Sequence, residues 1–262
     1  MDSGPDGGSD SGLPASLELA WGLRERPGKG PKRGLSLDRI VQAAVDVARA
    51  EGLPAVSMGR VAKQIDSSPM SLYRYVSTKD ELLVLMLDAA YGVPAPMPAG
   101  TAPDDWRAGL VRWACEQRDA LYENPWALHI PLSGPPATPN QIAWLEAGLT
   151  ALARTPLGEQ QKLSVILLVS GFVRNEARLT TDMVTAAKTA GITPEQAMDS
   201  YGSMLSKLID PKRFPAVAAA ITSGALDDED GLEGEFEFGL NRILDGVAVL
   251  LENLENRGRN AG

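Results

Sequence analysis

Residues 57–79, with the sequence SMGRVAKQIDSSPMSLYRYVSTK, constrain the fold of this 262-residue chain more than any other stretch. Two short helical patterns are separated by Asp66-Ser67-Ser68, whose side chains bond readily to nearby backbone and interrupt helices. Pro69 suits the first position of the second helix, which extends only to about Arg74. A helix this short is unstable alone, so its neighbours must hold it. The pattern predicts a helix-turn-helix, a motif that places its second helix in the major groove of DNA.

The exposed side of the second helix separates this interpretation from its alternative, a surface pair of helices in an ordinary α-helical domain. Ser57 can cap the first helix, and Leu72 is the one large inward residue of the second. Apart from Pro69 and Met70, the remaining positions of the second helix are polar or aromatic. That composition favours contact with DNA.

The same residues resemble the tetracycline-repressor (TetR) family of transcriptional regulators. The resemblance rests on Ser57, Val61-Ala62, the run from Ser68 to Val76, and Lys79-Asp80-Glu81-Leu82. It is strong over residues 35–91. It implies an all-α fold, in which an N-terminal three-helix helix-turn-helix DNA-binding domain is joined by a connecting helix to a larger helical ligand-binding and dimerisation domain.

The motif supplies two kinds of candidate DNA contact. Base edges in the major groove are expected to meet the start of the second helix and the residue one turn on: Pro69, Met70, Ser71 and Arg74. Ser68, just before this helix, is a further DNA-binding candidate. Phosphates are expected to meet hydroxyls and cations around it: Ser57, Arg60, Tyr73, Tyr75 and Lys79. At Gly59 relatives often carry a basic residue that reads a base. Glycine cannot do so, which leaves the outer bases of the site open.

Charge is distributed unevenly along the chain. The whole sequence has a net charge of −9, whereas residues 24–79 carry eleven basic and five acidic residues. A basic DNA-binding segment on an acidic body is typical of such a regulator. Residues 1–34 are predicted to be a disordered, partly basic arm. Its bases, Arg26, Lys29, Lys32 and Arg33, either enter a minor groove or form a solvated linker.

Catalysis finds little support in the sequence. One cysteine, Cys115, and one histidine, His129, exclude a Cys/His metal cluster, and there is no glycine-rich phosphate loop. We therefore expect no enzyme activity, no cofactor and no metal. The start lacks a secretory signal, and the longest apolar run, residues 165–173, is too short to cross a bilayer. A cytoplasmic location is expected.

Helical periodicity and caps divide the chain into a DNA-binding domain over residues 35–91 and a body over residues 92–262. Ser77 and Asp80 predict the cap of the connecting helix. An apolar turn, residues 126–130, contains His129, and residues 226–234 are predicted to be an acidic loop. The predicted helices are 15–25, 37–50, 57–65, 69–74, 77–91, about 106–123, 139–154, 160–189, 194–209, 213–223 and 235–254.

The C-terminal part resembles the tetracycline-repressor branch of the family. The resemblance rests on Arg213-Phe214-Pro215 and on the residues from Phe236 to Gly246. It implies a homodimer through the long helix near 160–189 and the last helix. The alternative is that the last helix packs on its own core. The predicted interface residues are Phe236, Leu240, Ile243, Leu244 and Val247.

Several aromatic residues surround the sequence position of the single histidine. Ligand sites are mostly apolar with a few polar groups, so these residues predict a pocket for a flat, partly aromatic effector. Each tryptophan, taken singly, is more often part of the core. The candidates are Trp113, Trp126, His129, Trp144, Phe172, Asn175 and Glu176.

Together these features predict a regulator, most simply a repressor that binds a pseudo-palindromic DNA operator as a homodimer and is released by a small-molecule effector. A helical sensor or carrier with a degenerate DNA-binding motif remains an alternative, as does an activator of the same family. The identities of the effector, the operator and the regulated genes do not follow from the sequence.

Overall fold

The computed structural model describes residues 12–23, 35–96, 105–132, 134–225 and 231–260. All regular structure within these ranges is helical, as the sequence predicts. Short 3-10 helices occur at Leu53–Ala55 and Pro125–His129. The α-helices are α1 Ala15–Ala20, α2 Leu37–Glu51, α3 Met58–Gln64, α4 Pro69–Leu72, α5 Lys79–Tyr91, α6 Trp106–Glu123, α7 Pro139–Ala151, α8 Glu159–Ala190, α9 Pro194–Leu208, α10 Pro215–Thr222 and α11 Gly231–Asn260.

The contacts divide the described residues into two compact units. The N-terminal unit comprises those within residues 1–97 and 123–147, and the C-terminal unit those within 98–122 and 148–262. The sequence places residues 123–147 in the body, whereas in the structure they cluster with the DNA-binding helices. The cause lies at the end of α5, where Asn124 donates to the carbonyl of Ala90 and Asp88 accepts from the backbone N–H of Asn140.

The core of the N-terminal unit forms on the apolar stripe of α2. Ile40, Ala44 and Val47 are buried there, and residues of α3, α4 and α5 pack against them. Trp126 of the 3-10 helix joins the same core. At the start of α2, Ser36 accepts from the backbone N–H of Arg39, as its capping role requires.

Two helix boundaries in this unit differ from the predicted ones. Thr78, not Ser77, caps α5: its hydroxyl accepts from the N–H of Glu81, whose carboxylate accepts from the N–H of Ser77. The capping box is therefore displaced by one residue. Helix α1 ends at Ala20 rather than near residue 25, and Leu23 is exposed instead of anchoring it.

The C-terminal unit packs α8 on α11 and on α9. Two glycines set the close approach of α7 to its neighbours. A Cβ at Gly109 would lie 2.9 Å from the Cβ of Ala151, and one at Gly148 would lie 2.7 Å from Ile166. Any larger side chain would force these helices apart.

The remaining boundaries agree with the sequence to within a few residues, apart from those of α11. Thr193 and Gln196 form the predicted capping box of α9. Helix α11 begins at Gly231 and runs to Asn260, so residues 231–234 are helical rather than part of the predicted loop, and residues 226–230 lie outside the described part. Among the described helices, none combines the length and the apolar character needed to cross a membrane.

Candidate DNA-binding and effector sites

Helices α3 and α4 form the predicted helix-turn-helix. Ser57 caps α3 by accepting from the N–H of Arg60 at 3.2 Å. The turn bends at Asp66, whose φ of 51° lies in the left-handed region that aspartate tolerates better than most residues. Ser68 then caps α4 through the N–H of Ser71, and Leu72 is fully buried beneath the helix.

The first turn of α4 presents the predicted base-contacting residues to solvent. Met70 is 75% exposed, the largest exposure of an apolar residue on the motif, and Pro69 and Arg74 are exposed as well. Ser71 is half-buried, and its hydroxyl shares a 2.9 Å hydrogen bond with that of Ser68. The arrangement leaves the apolar side chain of Met70 in water on a helix whose only buried residue is Leu72.

The predicted phosphate contacts divide into two groups. Ser57, Tyr73 and Lys79 are exposed, and Lys79 lies in the first turn of α5. Tyr75 is different, because its hydroxyl donates to the carbonyl of Leu35 at 3.1 Å. A phosphate oxygen needs a donor and this hydroxyl has one hydrogen, so the structure gives Tyr75 an anchoring role instead.

Arg60 is already paired within the protomer. Its guanidinium donates to both carboxylate oxygens of Glu51, at 2.9 and 3.3 Å from Nε, and to the side chain of Gln64. The hydrogen bond from Arg60 holds the pKa of Glu51 below its ordinary value. Glu51 therefore competes with DNA for Arg60.

Replacing Glu51 with glutamine is expected to strengthen binding to any duplex, because it frees Arg60 for a phosphate. One added phosphate contact in each protomer should steepen the slope of log K against log salt by about 0.9 unit per bound protomer, about 1.8 units for a dimer, measured by fluorescence anisotropy on a random duplex. Lys79→Ala is the control of opposite sign and should flatten the slope by about the same amount. An unchanged slope for Glu51→Gln would show that Arg60 does not reach a phosphate.

The basic arm cannot be placed. Arg26, Lys29, Lys32 and Arg33 lie outside the described residues. Helix α1, which precedes them, packs against the core of the N-terminal unit through Leu19, and Trp21 donates to the carbonyl of Ala137 at 2.7 Å.

Three of the predicted ligand residues, Trp126, His129 and Trp144, lie in the N-terminal unit. Trp126 is buried in the core shared with α2 and α5. Trp144 is buried too, and its indole N–H donates to the carbonyls of Tyr91 and Gly92, which end α5. His129 is exposed. Trp126 and Trp144 thus serve the packing of this unit.

The other four lie in the C-terminal unit, where two of them join a cluster that the sequence analysis did not assemble. Phe172 stacks on Phe236 with 5.6 Å between ring centroids, and Glu176 accepts from Tyr122 and Thr180. Trp113 is buried against Gly148, and Asn175 is exposed. Burial of Tyr122 raises the pKa of its hydroxyl, and the negative charge of Glu176 raises this pKa further.

Arg118 lies at the centre of this cluster and was missed from the sequence. Its side chain is buried on α6, pairs with Glu233 and lies over the ring of Phe236. Its position in the sequence could have identified it as a candidate. Arg118 follows Ala114 by four residues on the inward stripe of α6, where a charged residue is rare.

An apolar cleft of about 510 Å³ lies between the end of α8 and α9. None of the predicted ligand residues lines it. Its lining residues are Met183, Ala186, Ala187, Ala190, Ile192, Ala197, Met198 and Tyr201.

The predicted dimer contacts on α11 need correction. Phe236, Leu240, Leu244 and Val247 are buried within their own protomer, and only Ile243 keeps partial exposure. A side chain with almost no accessible surface has none left for a partner, so this face of α11 belongs to the core. Other apolar residues on α8 and α11 are exposed instead: Leu163, Leu167, Leu168, Phe238 and Val249.

Metal ligands are not gathered in the described ranges. Within them, no three His, Cys, Asp or Glu side chains are placed to hold a metal ion. Cys115 is a free thiol, and burial raises its pKa.

A capped helix-turn-helix on a small helical unit, together with a larger helical unit, defines the class of helix-turn-helix transcriptional regulators. Residues 40–86 match the family model described as bacterial regulatory proteins, tetR family, and residues 98–251 match that of the tetracyclin repressor-like C-terminal domain. The chain belongs to the TetR family.

Similar proteins include repressors and ligand-bound regulators. The transcriptional repressor DrrR1 of Streptomyces coeruleorubidus is 37% identical over 246 residues, which cover 94% of this chain and 88% of the relative. The TetR family protein ActR of Streptomyces coelicolor, solved with actinorhodin, superposes with a TM-score of 0.70 at 27% identity, over 84% of this chain and 98% of ActR. The class A tetracycline repressor of Escherichia coli is 24% identical over 84% of this chain and 95% of its own length. The chain is thus a DNA-binding transcriptional regulator of this family, and the proteins it resembles include repressors and a regulator solved with bound ligands.

Proposed function

We propose that this repressor homodimer binds a pseudo-palindromic operator and releases it when a small aromatic molecule binds. In this proposal residues 35–91 recognise DNA, and residues 92–262 hold the effector and the dimer contacts. The observation that carries it is the first turn of α4, where Met70 is 75% exposed on a helix anchored by the buried Leu72. An exposed apolar side chain at the start of this helix fits contact with a thymine methyl group.

A symmetric dimer predicts the spacing of the operator. Two recognition helices related by a two-fold axis should read half-sites whose centres are about 34–36 Å apart, one turn of DNA. Selection from a random duplex library, followed by anisotropy titration, checks this. Inserting five base pairs between the selected half-sites should remove specific binding, because it turns one half-site to the opposite side of the duplex. Specific binding that survives the insertion would contradict the proposed geometry.

The four bases of the arm are proposed to enter the minor groove beside the major-groove site. Exchanging Arg26, Lys29, Lys32 and Arg33 for serine should cost affinity most on A·T-rich flanks, where the groove is narrow and more negative. Substitution is cleaner than truncation, because removing residues 1–33 also removes the packing of α1. Anisotropy on duplexes with A·T-rich and G·C-rich flanks measures the difference. Equal losses on both flanks would leave only the linker interpretation.

The dimer is proposed to form on the exposed apolar residues of α8 and α11. Leu163, Leu167 and Gly171 follow one another at four-residue spacing on α8, and all three are exposed. A Cβ on Gly171 or on Gly246 of α11 would meet no neighbour within 4 Å in the protomer. Small residues beside exposed leucines let a second pair of helices approach closely.

The effector is proposed to bind in the C-terminal unit. The aromatic rings of Phe172, Phe236 and Tyr122 around Arg118 support an aromatic ligand. The structures of ActR with actinorhodin and with (S)-DNPA support a small-molecule effector. The family consists of transcriptional regulators, so we propose no catalytic activity, and we place the protein in the cytoplasm with its operator.

A further inference from the structure

A buried arginine is held in the C-terminal unit by an acid that remains largely in water. The side chain of Arg118 is 9% exposed, and that of its partner Glu233 is 63% exposed. The pair is bidentate, with Nη1 and Nη2 donating to the two carboxylate oxygens at 2.9 and 3.0 Å. A fixed cation is thus covered by a carboxylate that water already reaches.

The ion pair with Glu233 does not use every N–H donor of the Arg118 guanidinium. A guanidinium carries five N–H groups. Its Nε lies 4.0 Å from Asp119, beyond hydrogen-bond distance, and has no hydrogen-bond partner among the described residues. An incoming anion would therefore find a preformed donor site and an unused donor beside it.

The surroundings of Arg118 are aromatic rather than simply apolar. The guanidinium carbon lies 4.0 Å from the ring centre of Phe236 and 5.6 Å from that of Tyr122. Phe172 extends the same surface by stacking on Phe236 at an interplanar angle of 29°. A flat ring with an acidic substituent matches both features.

We propose that Arg118 is the anion-binding residue of the effector site, and that the effector is an aromatic acid whose negative group displaces Glu233. The proposal rests on the proposed function in taking this cluster as the effector site. Glu233 can leave without burying a charge, because it lies in the first turn of α11 and is already mostly hydrated.

Displacement of Glu233 would change the contacts between α6 and α11. The Arg118–Glu233 ion pair connects α6 to the first turn of α11, and the Arg107–Asp245 ion pair, at 2.7 Å, connects α6 to a later turn. Breaking the first of these ion pairs removes a contact that fixes the start of α11 against α6. Helix α11 also carries Phe238 and Val249 of the proposed dimer face.

The experiment compares 2-naphthoate with 2-naphthamide, which has the same shape and no charge, by calorimetric titration of the full-length protein. Glu233→Gln should bind naphthoate about tenfold or more tightly than the unsubstituted protein, because the competing carboxylate is gone. Its affinity for naphthamide should not change. Glu237→Gln is the matched control, because it removes the same charge one turn later on α11. The charges of Glu233 and Glu237 both act on Cys115 of α6, so the two glutamates face the same region. Glu237→Gln should leave both affinities nearly unchanged.

Arg118→Gln should abolish the preference for naphthoate over naphthamide, with folding checked by thermal unfolding. Glu233→Gln, at an exposed position, keeps the test decisive if Arg118→Gln fails to fold. The anion site is overturned if Glu233→Gln and Glu237→Gln change naphthoate affinity equally, or if Glu233→Gln binds no naphthoate. Operator affinity with and without naphthoate is measured separately. Selective naphthoate binding without operator release would support the anion site and contradict the proposed switch.

Discussion

Replacing Leu72 with alanine is expected to abolish operator binding while the C-terminal unit keeps its helices. Leu72 is fully buried and is the only buried residue of the four-residue helix α4. Truncating a buried leucine typically costs about 2–5 kcal/mol. Domains have only about 5–15 kcal/mol of stability in total, so the loss is a large part of what holds this motif. Circular dichroism during heating and anisotropy with the operator provide the two measurements.

Met70→Ala is the matched control on the same helix. Met70 is mostly in water, so its truncation should change the unfolding temperature very little. It should instead lower the affinity for the selected operator while leaving affinity for a random duplex unchanged, because a base contact carries sequence information and a phosphate contact does not. If Met70→Ala weakened both duplexes equally, α4 would not be reading bases.

The helix-turn-helix could be predicted from the sequence because interactions between residues close in the chain determine it. Ser57 and Ser68 cap their helices by bonding to the N–H three residues on, and Pro69 sets the start of α4. Every partner in these interactions lies within a few residues of the chain. The capping box of α9 was predictable for the same reason.

The roles of individual large side chains were less predictable, because distant partners decide them. The indole of Trp144 donates to carbonyls more than fifty residues earlier, and the hydroxyl of Tyr75 donates to a carbonyl forty residues earlier. From the sequence alone, such residues look equally suited to a ligand or a phosphate. Phe236 was placed on the dimer face for a similar reason, since helical spacing identifies an apolar stripe but not what covers it.

Replacing Leu167 with glutamate is expected to convert the homodimer into folded monomers. Leu167 is 74% exposed in the protomer, so a charge there leaves the protomer core intact, whereas in the proposed α8–α11 interface it would be buried without a partner. Sedimentation analysis measures the state of association. Val93→Glu is the control, because Val93 is 77% exposed but belongs to the N-terminal unit, whereas the proposed face belongs to the C-terminal unit. It should remain dimeric.

The Leu167→Glu protein should bind the operator with a lower affinity and a smaller dependence on salt. Each monomer keeps its recognition helix, so half-site contacts survive, but the effective concentration that links two half-sites is lost. Affinity for the full operator should therefore fall by about a hundredfold or more. The salt slope should fall to about half, because one protomer contacts half of the phosphates. A Leu167→Glu protein that stays dimeric, with the full slope, would place the interface on another face and would leave the exposed leucines of α8 without an assigned partner.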